Sequence, residues 1–267
     1  MIIDTHTHLL LTSQKDNIKT ALKQARENRV TKIFEIAVNI NYIKKAKKLA
    51  HNYDEIYYSA WIHPCDAMKY WLEKLDSVMQ ELGNLIKNDK KLIWIWECWL
   101  DFYWLSKDPK IAPKEVEIQK AYFIAQIRLA KKLNLPLIIH NREAWNSVFE
   151  ILKQENYWKF VFHCYSENLA YTKEILKIFS EAMFSFTWNL TYKSAKNIQE
   201  TAKNLNINKI MVETDAPYLT PQKFRWQENF PKYVLHTLEF LASIKEKKLN
   251  ILEEQIYKNT TNFFNIK

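Results

Sequence analysis

Seven residues with side chains that bind metal ions stand at or just after the ends of short apolar runs in this sequence. They are His6, His8, His63, Glu97, His140, His163 and Asp215. Imidazole nitrogens and carboxylate oxygens together bind divalent cations such as zinc. A bound cation lowers the pKa of the water that it holds, which generates a nucleophile at neutral pH. The chemistry that these residue types favour is metal-assisted hydrolysis.

The first two histidines are two residues apart, in the motif DTHTH at residues 4–8. On an extended chain, His6 and His8 point to the same side, so both imidazoles can reach one cation. A His-x-His pair by itself is more often a surface or structural pair than a metal site. Its interpretation as a ligand pair therefore depends on the other residues.

Glu97 is an acid within a strongly apolar segment, LIWIWECWLDFYW at residues 92–104. An unpaired carboxylate in such surroundings would carry a large desolvation cost. A bound cation removes that cost. Because a carboxylate has two oxygens, Glu97 can also bridge two cations.

Two further histidines and an acidic pair end other apolar runs. His140 ends LPLIIH, His163 ends KFVFH, and MVETDAPYLTP places Glu213 and Asp215 two residues apart. One histidine after a strand is usually structural, but two on consecutive strands favour metal binding.

The predicted ligands form two groups that share one member. One group is His6, His8, Glu97 and Asp215, and the other is Glu97, His140 and His163. Two neighbouring ions stabilise the attacking and leaving oxygens of a displacement at phosphorus. We predict that Asp215 orients and deprotonates the attacking water. We also predict that His63 and Arg142 donate to phosphate oxygens, the alternatives being a turn residue beside Pro64 and a salt bridge at a helix start.

The elements that must position these residues alternate along the chain. Predicted strands are Ile2–His6, Ile33–Val38, Ile56–Trp61, Leu92–Cys98, Leu135–His140, Phe160–His163, Met183–Phe186 and Ile210–Glu213. Predicted helices are Lys15–Asn28, Ile40–Asn52, Cys65–Lys87, Pro113–Leu133, Trp145–Glu155, Leu169–Phe179, Lys193–Leu205, Pro231–Lys247 and Leu252–Phe263. This pattern predicts an α/β fold, a single (β/α)8 barrel of the TIM type spanning residues 1–267, with its active site at the carboxyl ends of the strands.

The composition indicates the cellular environment of the protein but does not identify its function. Three cysteines without a CxxC pair argue against a disulfide framework, and no apolar run is long enough to span a bilayer. We therefore expect a cytoplasmic protein without a membrane partner. Separately, we predict a monomer. The net charge of +9 favours encounters with polyanions. The same lysines also suit solvated helix faces, so charge does not select nucleic acid as the partner.

Several blocks, in order, resemble the TatD-type metal-dependent deoxyribonucleases, a branch of the amidohydrolase-like barrels. They are IDTHTH, WIHP, IWECWLDFYW, LPLIIHNREA, FHCYS, FSFTWNLTYKSAKNIQE and ETDAPYLTPQKFRWQENFPKYV, and they span nearly the whole chain. The resemblance implies a (β/α)8 barrel with two divalent cations (Mg, Mn or Zn), 3′-to-5′ exonuclease action on DNA ends, and the same six ligands. Some relatives act on RNA ends or remove D-amino acids from tRNA.

Two alternatives therefore stay open. One is an amidohydrolase-type hydrolase of another ester or amide, including a D-aminoacyl-tRNA deacylase. Many amidohydrolases have a carboxylated lysine where Glu97 stands, which favours the nuclease. The other is a metal-free barrel that binds nucleic acid through its basic surface, against which the intact ligand set argues.

The sequence contains one glycine and 10 tryptophans. Where the family pattern has glycine, this chain has Trp61, Trp96, Trp99, Trp188 and Trp226. Further candidates are Trp94, Trp145 and Trp158, whereas Trp104 matches an aromatic position. Glycine serves where φ is positive or the backbone approaches another group closely, and a bulky residue is unfavourable there. We hypothesise that these five residues are glycines in the native protein, encoded by UGA. The alternative is an aromatic rim that stacks bases.

Overall fold

A computed structural model describes residues 1–60, 72–103 and 105–266, with the side chains of residues 94–99 excluded. His63, Trp61 and Trp104 lie outside the described residues. The predicted helix at 65–87 is described from residue 72 onward.

Eight parallel strands form one sheet in sequence order. They are β1 (Ile2–Thr7), β2 (Val30–Glu35), β3 (Ile56–Ala60), β4 (Leu92–Asp101), β5 (Leu137–Arg142), β6 (Phe160–Phe162), β7 (Met183–Phe186) and β8 (Ile210–Val212). The chain that follows β8 joins β1 through a parallel bridge between Thr7 and Ala216. The predicted TIM-type barrel is confirmed, with each predicted strand present within a few residues of its expected bounds.

Helices follow the strands on the outside of the sheet. Those within the described residues are α1 (Ile18–Glu27), α2 (Ile40–Asn52), α3 (Leu75–Ile86), α4 (Ala112–Leu133), α5 (Trp145–Gln154), α6 (Leu169–Ile178), α7 (Lys196–Asn204), α8 (Val234–Ile244) and α9 (Leu249–Phe264). Helix α1 begins later than predicted because the Asn17 side chain accepts a hydrogen bond from the backbone N–H of Thr20 and caps the helix. Across the described stretches, we find no helix with the length and apolar character that a bilayer crossing requires.

The barrel interior is closed at its amino-terminal end. Most strands contribute at least one side chain to a cluster that includes Phe264 of α9. Examples are Ile3, Phe34 and Met211. The Phe34 and Phe264 rings meet edge to face with centroids 5.4 Å apart. The interior is therefore a packed core, and the active site of such a barrel is expected at the carboxyl ends of the strands.

The alternation of side chains along the strands places polar residues on the same face as this interior cluster. Ile138 of β5, Val161 of β6 and Met211 of β8 belong to the interior cluster. The residues two positions further along the chain are His140, His163 and Glu213. Side chains two apart on a strand share a face, so these three polar groups lie above the apolar core at the mouth of the barrel.

Candidate metal centre

The first group of ligand atoms comes from the end of β1 and the segment after β8. His6 Nε2 lies 3.1 Å from His8 Nε2 and 3.2 Å from Asp215 Oδ1. His8 Nε2 lies 3.9 Å from the same carboxylate oxygen. Ligand atoms that are each about 2.1 Å from one ion, at angles of about 90–110°, are separated by about 3.0–3.4 Å. The two separations from His6 Nε2 lie in this range, whereas the 3.9 Å between His8 and Asp215 is wider. All three atoms lie within 4.8 Å of one another, as candidate ligands of a single cation do.

The tautomer of His8 fits the same role. Its Nδ1 lies 3.0 Å from the backbone carbonyl oxygen of Ile36, which can only accept a hydrogen bond. Nδ1 therefore carries the proton of the neutral ring. The Nε2 atom then presents a lone pair to His6 and Asp215, as a metal ligand must.

Hydrogen bonds made by Asp215 and by the residue before it hold the backbone of Asp215 in place. Its N–H donates to the carbonyl oxygen of His6 at 2.8 Å, and its φ is 59°. The preceding residue, Thr214, donates its backbone N–H and its hydroxyl to the Asp4 carboxyl group at 2.9 and 2.6 Å. The Asn229 side-chain amide donates to the carbonyl oxygen of Thr214 at 2.7 Å. These contacts fix a left-handed backbone that an Asp adopts more readily than most residues.

Burial of Asp4 raises the pKa of its carboxyl group to about 8, against the lowering effect of the hydrogen bonds from Thr214 and His6. This carboxyl group links β1 to the chain after β8 and contributes no ligand atom to either group.

The second group of ligand atoms lies at the ends of β5 and β6. His140 Nδ1 is 3.1 Å from His163 Nε2. His163 also places its Nδ1 2.9 Å from Glu213 Oε1. The His163 ring stacks on the His6 ring, with centroids 4.1 Å apart and planes inclined by 25°. The two groups are therefore adjacent, as a pair of neighbouring cations would require.

Glu97 lies within β4, at an irregularity in its pairing with β5. The register aligns Cys98 with Ile139 and Trp99 with His140, with a shift between Ile95 and Cys98. The backbone at residue 97 therefore runs beside the strand that bears His140. The side chain of Glu97 is outside the described atoms, so its role as a bridging ligand stays a prediction.

Arg142 is exposed at the rim, two residues beyond His140. Its guanidinium carbon lies 3.6 Å from the centre of the Tyr103 ring, a cation–π contact. The backbone N–H of Tyr103 donates to Asp101 Oδ1 at 2.9 Å. The ring thus holds the guanidinium against the loop after β4. The structure brings Arg142 to the same end of the barrel as the metal ligands, whereas His63 lies outside the described residues.

Two acidic residues of the site region were not among the predicted ones. Asp4 lies in IIDTH, and Glu35 lies in IFEIA, where it accepts hydrogen bonds from Leu9 N–H at 2.7 Å and from the Tyr42 hydroxyl at 2.7 Å. Both are fully buried. The signal that could have found them is the one that singled out Glu97, an acid within an apolar strand.

This arrangement places two adjacent groups of potential metal ligands at the mouth of a barrel, and comparisons with known proteins identify the family. The family model described as TatD related DNase matches residues 3–265. The chain belongs to the TatD family and is a metal-dependent hydrolase.

Individual relatives agree over the full length. An uncharacterized metal-dependent hydrolase, YabD, of Bacillus subtilis is 32% identical over 100% of both chains. A metal-dependent hydrolase of Mycoplasma genitalium is 27% identical, with 98% of each chain covered. Among solved structures, the TatD homologue YjjV of Escherichia coli has a TM-score of 0.88 at 23% identity, covering 100% of this chain and 98% of that one. A TatD family hydrolase of Entamoeba histolytica has a TM-score of 0.82 at 22% identity, covering 98% and 97%.

The described tryptophans divide by their surroundings. Trp226 has a φ of 77° and is 89% exposed, so its indole has a strained backbone and little packing. Trp145 differs, since its ring contacts Phe162 and Tyr171 and its Nε1–H donates to Glu167 Oε1 at 3.0 Å. The geometry supports the glycine hypothesis at residue 226 and argues against it at residue 145.

We expect Trp226→Gly to stabilise the protein. Relief of the left-handed backbone, worth about 1–2 kcal/mol, exceeds the greater chain entropy of glycine in the unfolded state, worth about 0.4–1 kcal/mol. The melting temperature should rise by about 2–4 °C, measured by calorimetry. The matched control is Trp158→Gly, because Trp158 packs on Phe179 and bonds Asn156 through its indole N–H. The control should lower the melting temperature; a fall for both variants would contradict the prediction.

Proposed function

We propose that the protein is a 3′-to-5′ exodeoxyribonuclease that removes nucleotides from DNA ends with the help of two divalent cations. The observation that carries the proposal is the adjacency of the two ligand groups, joined by the stack of His6 on His163 at 4.1 Å. Two cations side by side activate a water molecule and stabilise charge on phosphodiester oxygens. The donor set of imidazoles and carboxylates fits Mg, Mn or Zn.

The residues of this chain have separable roles in the proposed reaction. His6, His8 and Asp215 would hold one cation, His140 and His163 would hold the other, and Glu97 is proposed as a ligand of both. Asp215 orients the attacking water and accepts its proton. Arg142 and His63 donate to the phosphate oxygens of the bound DNA end. The active form that we propose is a single-domain, monomeric enzyme of the cytoplasm.

The decisive experiment follows shortening of single-stranded DNA labelled at its 5′ or its 3′ end, with Mg²⁺ or Mn²⁺. A 3′-to-5′ exonuclease releases the 3′ label as a mononucleotide at once and yields a ladder of 5′-labelled products. Chelator should abolish both signals. Loss of the 5′ label first, or cleavage that persists in chelator, would overturn the proposal.

The second candidate function is hydrolysis of another ester or amide, including D-aminoacyl-tRNA. The same metal-bound nucleophile serves either reaction, since attack at an acyl carbon also needs a polarised oxygen and an activated water. Release of a D-amino acid from charged tRNA without any shortening of DNA would favour this candidate.

The role of Arg142 is testable by kinetics. Arg142→Ala removes a charge-assisted hydrogen bond, worth about 1.5–3 kcal/mol, to a phosphate oxygen in both ground and transition states. We therefore expect KM for DNA to rise about tenfold or more while kcat changes little. Arg128→Ala is the control, because Arg128 pairs with Glu155 on the outer surface of α4 at 2.8 Å. An unchanged KM for Arg142→Ala would remove Arg142 from the substrate site.

A further inference from the structure

Glu213 is the buried acid at the end of β8 that the proposed reaction leaves without a role. It is 1% exposed. Its Oε1 lies 2.9 Å from His163 Nδ1 and 2.7 Å from the backbone nitrogen of Cys164. Its Oε2 is within 3.5 Å of the Thr5 hydroxyl. The carboxylate thus contacts both residues at the end of β6 and reaches across to β1.

The hydrogen bonds at Glu213 Oε1 determine the tautomer of His163. The backbone N–H of Cys164 can only donate, so Oε1 acts as an acceptor, and a carboxylate oxygen accepts a second hydrogen bond readily. His163 Nδ1 therefore carries its proton and donates it to Glu213. In the neutral ring this leaves Nε2 as the lone pair, 3.1 Å from His140 Nδ1.

We infer that Glu213 is a positioning residue that fixes the tautomer and the ring plane of His163, so that Nε2 serves as a ligand for the second cation. The inference rests on the proposed metal centre. The two carboxylates at the end of β8 therefore have different roles. Asp215 supplies a ligand atom to the first group, whereas Glu213 orients a ligand of the second. The carbonyl oxygen of Ile36 does for His8 what Glu213 does for His163.

A different role for Glu213 would be direct coordination. One oxygen of Glu213 and one nitrogen each from His6 and His163 lie within 4.8 Å of one another. Direct coordination through Oε1 would compete with the two N–H groups that already donate to it. The two roles differ in which cation is lost when Glu213 is changed.

The first test reads the tautomer of His163 in the metal-free protein. Imidazole nitrogens labelled with ¹⁵N are observed by NMR in the wild type, Glu213→Gln and Glu213→Leu, with His163→Asn used for assignment. We expect the Nδ1–H tautomer in the wild type and in Glu213→Gln, whose amide oxygen still accepts, and a shift toward Nε2–H in Glu213→Leu. The matched control, Glu35→Gln, removes another buried carboxylate at this end of the barrel and should leave the His163 signals unchanged. An Nε2–H tautomer in the wild type would overturn the inference.

The second test measures Mn²⁺ and Zn²⁺ binding by calorimetry. We expect Glu213→Leu to weaken the second cation about 10–100-fold while the first binds as in the wild type. Glu213→Gln should weaken it a few-fold, which keeps the test available if the leucine variant does not fold. Unchanged affinity in both variants, or equal loss of both cations, would overturn the positioning role. A wild type that binds two cations with His163 as Nδ1–H but leaves DNA intact would reject the nuclease proposal alone.

Discussion

Replacement of Asp215 by asparagine is expected to lower the rate of metal-dependent DNA hydrolysis by about 10³-fold or more. The carboxylate has two proposed tasks, as a ligand beside His6 at 3.2 Å and as the proton acceptor for the attacking water. Asparagine keeps the size of the side chain and tolerates the φ of 59°, so the backbone should stay in place. The uncharged amide neither accepts a proton at neutral pH nor offers an anionic ligand. The loss should therefore appear mainly in kcat, measured at saturating DNA.

The control for this variant is Asp108→Asn. Asp108 is an exposed acid in the segment between β4 and α4, where it accepts a hydrogen bond from the backbone N–H of Lys110 at 2.8 Å. Asp108→Asn changes the net charge by the same amount as Asp215→Asn. It should leave kcat within about twofold, because solvent and salt screen an exposed charge. A kcat for Asp215→Asn within tenfold of the wild type, with the melting temperature unchanged, would remove Asp215 from the reaction.

Much of the fold follows from periodicity alone. Short apolar runs such as Ile138–Ile139 and Val161–Phe162 are typical of parallel strands covered on both faces, and they alternate with amphipathic stretches. The polar residue that ends each run also predicts the site, because parallel strands in a barrel bring their carboxyl ends together. His140 and His163, 23 residues apart in the chain, meet at 3.1 Å for this reason.

Distances and hydrogen-bond partners could not be predicted in the same way. The pairing of β1 with β2 shifts between Asp4 and Thr7, and a register shift of this kind changes which side chains face inward. The positive φ of Asp215 likewise depends on contacts with His6 and Thr214, which are some 200 residues apart. Long-range contacts of this sort leave no local pattern in the sequence.

The buried acids near the site show what one sequence pattern can and cannot predict. An acid within an apolar strand occurs at Asp4, Glu35 and Glu97. Because burial of an unpaired carboxylate is costly, each of these acids needs a partner. The partner differs in ways that the signal does not resolve. Asp4 and Glu35 are satisfied by backbone and hydroxyl donors. For Glu97, metal binding remains the prediction.

Glu35 should make the stability of the metal-free protein fall as the pH rises. Burial raises the pKa of its carboxyl group to about 7 from an ordinary value of 4.5, against the lowering effect of hydrogen bonds from Tyr42, Leu10 and Leu9. Between these two pKa values the native state keeps a proton that the unfolded chain releases, so the free energy of unfolding decreases with pH across this window. Above about pH 7 both states are ionised at this group, and its contribution becomes constant. The total decrease is about 3 kcal/mol, from about 1.4 kcal/mol per pKa unit.

Glu35→Gln removes this titration, so its stability relative to the wild type should rise by up to about 3 kcal/mol between pH 4.5 and pH 7.5. The measurement is urea unfolding in chelator across this range, with the difference between the two proteins taken at each pH so that groups common to both cancel. Glu254→Gln is the control, because Glu254 is an exposed glutamate on α9 whose pKa is lowered by Lys258. The control should follow the wild type above pH 5. A Glu35→Gln curve parallel to the wild type would mean that Glu35 is already ionised in the native protein near pH 4.5. The hydrogen bonds to the loop after His8 would then outweigh the cost of burying the charge.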